Sequence, residues 1–193
     1  MKRLIRAMDI LLVGVGGQGI VLASDILCLA ALYAGYDTKK SEIHGMSQRG
    51  GSVFSHVRFA KKVYSPVIAA GSANILASLE ESETLRWLHY TNKNTTIIYV
   101  KARIPLGSST LYPEGTEDFL KKQYRDRIAI DPECLCSPSG NPKTLNVSLV
   151  GTIAGLTGID RKFFGQAIRE LVPPGTQEIN MSAFDKSIAL TRR

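Results

Sequence analysis

The first long apolar stretch of the chain, "DILLVGVGGQGI" from Asp9 to Ile20, passes from hydrophobic residues into four glycines. It then enters a second apolar segment, "IVLASDILCLAALYAG". That order predicts a buried strand, a tight glycine turn and a buried helix. Gly35 stands where this helix would stop, because glycine accepts the left-handed conformation there at little cost. A second strand is expected over about residues 37–43. In "SVFSHVRF", Val53, Ser55, Val57 and Phe59 alternate with Phe54, His56 and Arg58. A period of two reads as a strand, here one arm of a hairpin with Lys61 and Lys62 at its tip.

"SPVIAAGSANILASLEESETLRWL" repeats the opening logic: a short strand, a glycine turn, then a helix with Ile75, Leu76, Leu79, Leu85 and Leu88 on its apolar side. "NTTIIYV" predicts a buried strand, and residues 103–116 a loop marked by Pro105, Gly107 and Pro113. A short helix at 117–125 and a strand at 128–130 follow. After the loop "CSPSGNP", the segment "TLNVSLVGTIAGLTG" reads as a helix packed closely through small residues. Asp160 is placed to cap the next helix, Pro173 and Pro174 to stop it, and a last helix ends the sequence. Strands alternating with helices imply a single α/β domain over residues 1–193. Its expected sheet is mixed but mainly parallel, flanked by helices, with a Rossmann-like start and one β-hairpin.

Composition narrows the class. The 193 residues suffice to bury one core, and 44% hydrophobic with 21% charged residues is the balance of an ordinary soluble protein. Three cysteines, an odd number and widely spread, argue against a disulfide framework and for the reducing cytoplasm. Cys134 and Cys136 form a C-x-C pair with no further cysteine near enough to complete a metal or cluster site. The run from Ala7 to Asp37 lacks Lys and Arg, yet Asp9, Gln18, Asp25 and the glycine cluster interrupt it. Neither a membrane span nor a signal peptide is expected. The net charge of +7 is spread along the chain and favours acidic partners or phosphorylated ligands. A nucleic-acid-binding protein is suggested by charge alone, without a basic helix interleaved with aromatics or a recognised motif, so nucleic acid is not expected as a partner.

Gly14, Gly16 and Gly19 fit G-x-G-x-x-G between a strand and a helix. Glycines there let the backbone approach a phosphate, whose charge is met by amides at the helix N-terminus. A dinucleotide site also wants an acid at the end of the second strand. Asp37 starts that strand, and Glu42 comes slightly late at its end. The turn is either an anion site or a tight strand–helix turn with no ligand. A stand-alone nucleotide-binding oxidoreductase is the corresponding alternative function.

If the first two strands are parallel neighbours, the glycine turn and the segment "SEIHGMSQRGG" leave the same edge of the sheet, where open α/β sheets bind ligands. His44, Ser47, Gln48 and Arg49 would then stand beside Gly16, Gly17, Gln18 and Gly19. Arg49 offers a planar cation for a carboxylate or phosphate. Gln48 offers an amide, and His44 a donor whose charge varies near neutral pH. Gly50 and Gly51 permit close backbone approach by a ligand or another chain. The plainer reading is a loop that uses these groups for its own hydrogen bonds.

"VGVGGQGI", followed by "SEIHGMSQRGGSVFSHVR" and "SPVIAAGSANILASLE", resembles the gamma domain of the 2-oxoacid:ferredoxin oxidoreductases, and within them the small subunits of the indolepyruvate branch. The resemblance spans nearly the whole chain, and Asn146 and Gly151 fit the family's later N-x-x-x-x-G block. Asn74 and "YVKARIP" depart from the family pattern, which expects an aspartate and an asparagine-bearing segment there. In such enzymes thiamine diphosphate attacks the 2-oxoacid, iron–sulfur clusters remove electrons, and coenzyme A takes the acyl group. The resemblance therefore implies one part of a divided enzyme that binds none of these cofactors alone. Its implied partners are a large thiamine and iron–sulfur subunit and, through the complex, ferredoxin. His44, Gln48 and Arg49 become candidates at the partner's active site. A chain built for a hetero-oligomer is also expected to self-associate when alone.

Overall fold

The computed structural model describes residues 7–42, 50–105, 112–133 and 142–191. Strand β1 (Met8–Val15) is fully buried from Ile10 onward and lies inside a six-stranded sheet. The other strands are β2 (Asp37–Glu42), β3 (Ser52–Ala60), β4 (Ile75–Ser78), β5 (Thr96–Val100) and β6 (Arg127–Ile130). Their order is β2-β3-β1-β4-β5-β6. β1, β4, β5 and β6 pair in parallel, whereas β3 runs antiparallel to both β1 and β2.

The first face of the sheet is covered by α1 (Ile20–Tyr33), α4 (Leu145–Thr157), α5 (Arg161–Leu171) and α6 (Gln177–Ile188). Ile10 and Leu12 of β1, Val57 of β3 and Ile98 of β5 meet Ile26 and Leu27 of α1, Val150 and Ile153 of α4, Phe164 of α5 and Phe184 of α6 in one core. The second face is covered by α2 (Glu81–Arg86), α3 (Thr116–Gln123), a 3-10 turn at Leu88–Tyr90 and the segment 61–74. Leu11, Val13, Leu76, Ile97 and Tyr99 form the core there.

Local chemistry sets the element ends. Gly35 has φ of +88° just beyond α1, and the Asp160 carboxylate accepts the Lys162 N–H at 2.9 Å to cap α5. Asn74 seats β4 beside β1, its side-chain oxygen accepting the Asp9 N–H at 2.8 Å while its own N–H reaches the Asp9 carbonyl at 2.8 Å. The close packing expected of the small residues in α4 is present. A Cβ on Gly151 would come within 2.5 Å of the Phe184 carbonyl, and one on Gly155 would overlap the Thr191 hydroxyl.

Four expectations are corrected. Ile75 and Leu76 lie on strand β4, not on a helix, and the helix is confined to Glu81–Arg86. A four-residue apolar run is too short to reveal its period, and burial on both faces of a parallel sheet removes alternation altogether. The segment 65–70, expected to be a strand, belongs to the irregular 61–74 connection. β3 forms its hairpin with the preceding strand, so the hairpin connection is 43–51 and Lys61–Lys62 begin the crossing to β4. Alternation identifies an antiparallel arm but not its neighbour. For the same reason β1 and β2 are not adjacent: β3 lies between them.

Candidate functional site

β1 ends at Val15 and the chain turns through Gly16–Gly19 into α1. Gly17 and Gly19 take φ of +102° and +84°, the left-handed region that penalises a Cβ. Gly19 is constrained twice, since a Cβ there would also overlap the side-chain amide of Asn146, which donates to the Gly19 carbonyl at 3.3 Å. At Gly14 a Cβ would approach the Gln18 side-chain oxygen to 2.8 Å. Gln18 is a brace: its oxygen accepts the Val15 N–H at 2.7 Å and its amide donates to the Leu79 carbonyl at 2.8 Å. The glycine turn is thus held to the end of β4 by one side chain.

The glycine turn and the hairpin connection meet directly. Gly16 N–H donates to the Gly51 carbonyl at 2.8 Å, and Gly50 N–H donates to the Gly16 carbonyl at 3.3 Å. Both β1 and β2 run antiparallel to β3, so their carboxyl ends share one edge although they are not neighbours. His44, Ser47, Gln48 and Arg49 lie outside the described residues.

Neither acid weighed for a ribose lies on a strand adjacent to β1. Asp37 is at the far end of β2, where it accepts the Val63 N–H at 2.9 Å and is held below the usual carboxylate range by that bond. Glu42 bonds Lys40 Nζ at 3.2 Å, and Lys40 also binds Asp25 of α1. In the dinucleotide arrangement the acid comes from the parallel strand beside β1. Here that position is taken by the antiparallel β3.

A cleft of about 440 Å³ opens beside the turn, lined by Gly17, Gln18, Gly19, Leu79, Lys143 and Asn146. The N-termini of α1 and α4 both reach it, and among the described residues neither has a side-chain cap. First-turn N–H groups and the ammonium of Lys143 make it suited to an anion. Lys143 was missed by motif reading because it precedes the recognisable "TLNVSLVG" block; its place before a helix start was the available signal.

Carboxylates border the same edge but are committed internally. Buried Glu83 accepts from the Ser52 hydroxyl, from Trp87 Nε1 at 3.1 Å and from Arg86 Nε at 2.9 Å. Buried Glu80 caps α2 through the Glu83 N–H at 2.8 Å and accepts from the Tyr112 hydroxyl. Burial, then that bond to Glu80, raises the Tyr112 pKa. Glu81 pairs with Arg103 at 3.0 Å. The Cys28 thiol is pushed up to about 12 by burial, which makes it a poor nucleophile. Among the described residues no three His, Cys, Asp or Glu side chains gather as metal ligands, and no helix is long and apolar enough to cross a membrane.

Comparison with known proteins agrees with this arrangement. The chain is 37% identical over 193 residues to indolepyruvate oxidoreductase subunit IorB of Thermococcus kodakarensis, covering 93% of this chain and 94% of that protein. It is 36% identical over 191 residues to the IorB of Pyrococcus horikoshii, covering 93% and 94%. Its fold matches the gamma subunit of a keto/oxoacid ferredoxin oxidoreductase from Geobacter sulfurreducens with a TM-score of 0.75 at 21% identity, over 96% of this chain and 97% of that one. It also matches a 2-oxoglutarate:ferredoxin oxidoreductase from Magnetococcus marinus, solved with 2-oxoglutarate, coenzyme A and succinyl-CoA bound. That match has a TM-score of 0.76 at 16% identity and covers 97% of this chain but 31% of the longer one. The family model described as pyruvate ferredoxin/flavodoxin oxidoreductase matches residues 9–190, and the chain belongs to that family.

Proposed function

We propose that this chain is the non-thiamine subunit of a cytoplasmic 2-oxoacid:ferredoxin oxidoreductase whose substrate is indolepyruvate or a related arylpyruvate. The observation that supports it most is the full-length similarity to two indolepyruvate oxidoreductase subunits, at 37% and 36% identity. The geometry is consistent with it, because two motifs far apart in sequence are joined at Gly16, Gly50 and Gly51 on one sheet edge.

The chain's part in the reaction is to bind and position. Coenzyme A would supply the thiol that accepts the acyl group, and its phosphates suit the cleft between α1 and α4. There the first-turn amides after Gly19 and the ammonium of Lys143 would meet negative charge. His44, Ser47, Gln48 and Arg49, on the connection that ends at Gly50, would face the catalytic centre of a large thiamine and iron–sulfur subunit, which passes electrons to ferredoxin. Gln18 holds the glycine turn in place from behind.

The test is reconstitution with that large subunit. Coenzyme-A-dependent reduction of ferredoxin by indolepyruvate is expected from the pair and from neither chain alone. Failure of the two chains to associate, or equal turnover by the large chain without this one, would overturn the proposal. A preference for 2-oxoglutarate or pyruvate in the active pair would overturn the substrate assignment alone.

A further inference from the structure

The two faces of the sheet are covered unequally. Four helices of eleven to fourteen residues pack on the first, whereas the second carries α2 of six residues and α3 of eight. Sheets built largely from parallel strands are normally covered on both sides. Along the second side of β3 the described cover is the segment 65–68, which Arg58 and His56 bond, together with a group of aromatic rings. Phe54 meets Trp87 at 4.1 Å between ring centres, and His56 meets Tyr90 at 5.4 Å. His89 lies 5.6 Å from Trp87 and 4.5 Å from Tyr90. Phe54, Trp87 and Tyr90 are half-buried, His89 is exposed, and Tyr64, on the segment that Arg58 and His56 hold, is 90% exposed.

This strip leads directly to the site. Trp87 Nε1 and the Ser52 hydroxyl both donate to Glu83, and Ser52 follows Gly50 and Gly51, which hold the glycine turn. Its border carries Lys39, which shares the face through its pairing with Arg58, and the exposed Lys61, while Lys62 lies 3.7 Å from Asp37 and Arg86 is paired with Glu83 at 2.9 Å.

We infer that the strip is docked by the partner polypeptide of the oxidoreductase, through an apolar patch ringed by carboxylates. This rests on the proposed function, which makes the chain one part of a divided enzyme. Aromatic side chains in partly buried clusters are the groups that dominate binding energy at interfaces. The basic border asks for an acidic counterpart, and it disfavours a second copy of the chain, which would bring its own +7 to a like-charged contact. In the matched 2-oxoglutarate enzyme this fold is 31% of a longer chain, so further protein of the same enzyme is attached to it there.

Trp87 is the only tryptophan in the sequence, so 5-fluorotryptophan incorporated into this chain alone gives a single fluorine signal. On assembly with the large subunit, that signal is expected to shift and to lose its relaxation by a soluble paramagnetic agent. His89→Ala should weaken assembly roughly tenfold. Leu32→Ala, at a 55% exposed position on α1 of the other face, should leave it unchanged. A complex that forms with Trp87 as accessible as before would overturn the inference while leaving the proposed function intact. Absence of any complex would overturn both. Concentration-dependent protection of Trp87 in this chain alone, undiminished by the partner, would assign the strip to a second copy instead.

Discussion

Gly16 and Gly51 are tied by a 2.8 Å backbone hydrogen bond, and Gly50 returns a second to the Gly16 carbonyl at 3.3 Å. The pair fixes the hairpin connection against the glycine turn through backbone alone, so the tie depends on how closely the two segments can approach. Glycine is needed in the turn for two separable reasons, and substitution distinguishes them. Gly17→Ala meets only the left-handed penalty, about 1–2 kcal/mol, because nothing lies within reach of its Cβ. Gly19→Ala adds overlap with Asn146 and should cost a further ~1–3 kcal/mol. Denaturant melts of the two variants should rank Gly19→Ala as the less stable; equal losses would remove Asn146 from the argument.

Gln18 bonds two main-chain groups, one on β1 and one past the end of β4. Gln18→Ala leaves the Val15 N–H and the Leu79 carbonyl without their partner, at a cost of about 1–3 kcal/mol. Gln18→Glu should be worse in one respect, because it turns a donor to Leu79 into a second acceptor. Thermal melts at neutral pH should therefore place Gln18→Glu at or below Gln18→Ala. A fully stable Gln18→Glu protein would mean that the amide does not brace the turn.

The same residue shows where sequence reading stops. Gly14, Gly16 and Gly19 announce a strand–turn–helix because their spacing reflects backbone sterics, which are local. The bracing role of Gln18 is not legible, because nothing local reveals that Leu79, 61 positions away, is its partner. The placement of β3 was hidden in the same way: alternation of Phe54, His56 and Arg58 declares an antiparallel strand, while pairing with β1 is a tertiary fact. Asp160, by contrast, was legible as a cap since its partner, Lys162, is two residues on. Lys143 and Asn146 join the cleft only because α4 crosses behind α1.

His56 gives the fold a pH dependence whose sign is set. Its ring is buried, its Nδ1 accepts the Ile68 N–H at 3.3 Å, and Arg58 is the nearby charge, with Phe54 and Tyr90 as its ring neighbours. Burial first, then the Arg58 charge, lowers its pKa. Above the unfolded value of about 6.5 the ring is neutral in both states and this stability is fully present. As the pH falls below that value the unfolded chain takes up the proton first, so stability is lost progressively down to the folded pKa. The melting temperature should decline as the pH falls below about 6.5, more steeply than in His56→Gln, which keeps an acceptor and cannot titrate. Identical slopes would show that other groups govern the acid limb.

Gly151 and Gly155 of α4 differ in what opposes them. The Thr191 side chain crowds Gly155, whereas at Gly151 the nearest atom is the Phe184 carbonyl at 2.5 Å. Each alanine substitution should cost about 1–3 kcal/mol from overpacking. Thr191→Ala should relieve much of the loss at Gly155 and none at Gly151. A double-mutant cycle measures this, and an additive Gly155/Thr191 pair would rule out their contact as the cause.

Arg49 is the residue of the hairpin connection for which a functional role is proposed most sharply. It stands immediately before Gly50, whose N–H binds the Gly16 carbonyl of the glycine turn. In a polar, glycine-rich segment its side chain owes little to the core. Arg49→Ala should leave the melting temperature nearly unchanged. Loss of a charge-assisted contact typically costs about 1.5–3 kcal/mol. That converts to a roughly ten- to hundredfold fall in either turnover or assembly. Arg49→Lys should restore little if the guanidinium grips an anion with two parallel N–H bonds, since an ammonium lacks that planar fork. Steady-state assays on the reconstituted pair separate the alternatives: a loss repaired by excess partner marks docking, and a loss that persists at saturating partner marks a role at the reacting substrate. Normal turnover with normal assembly would remove Arg49 from the site, and a large drop in melting temperature would make it structural.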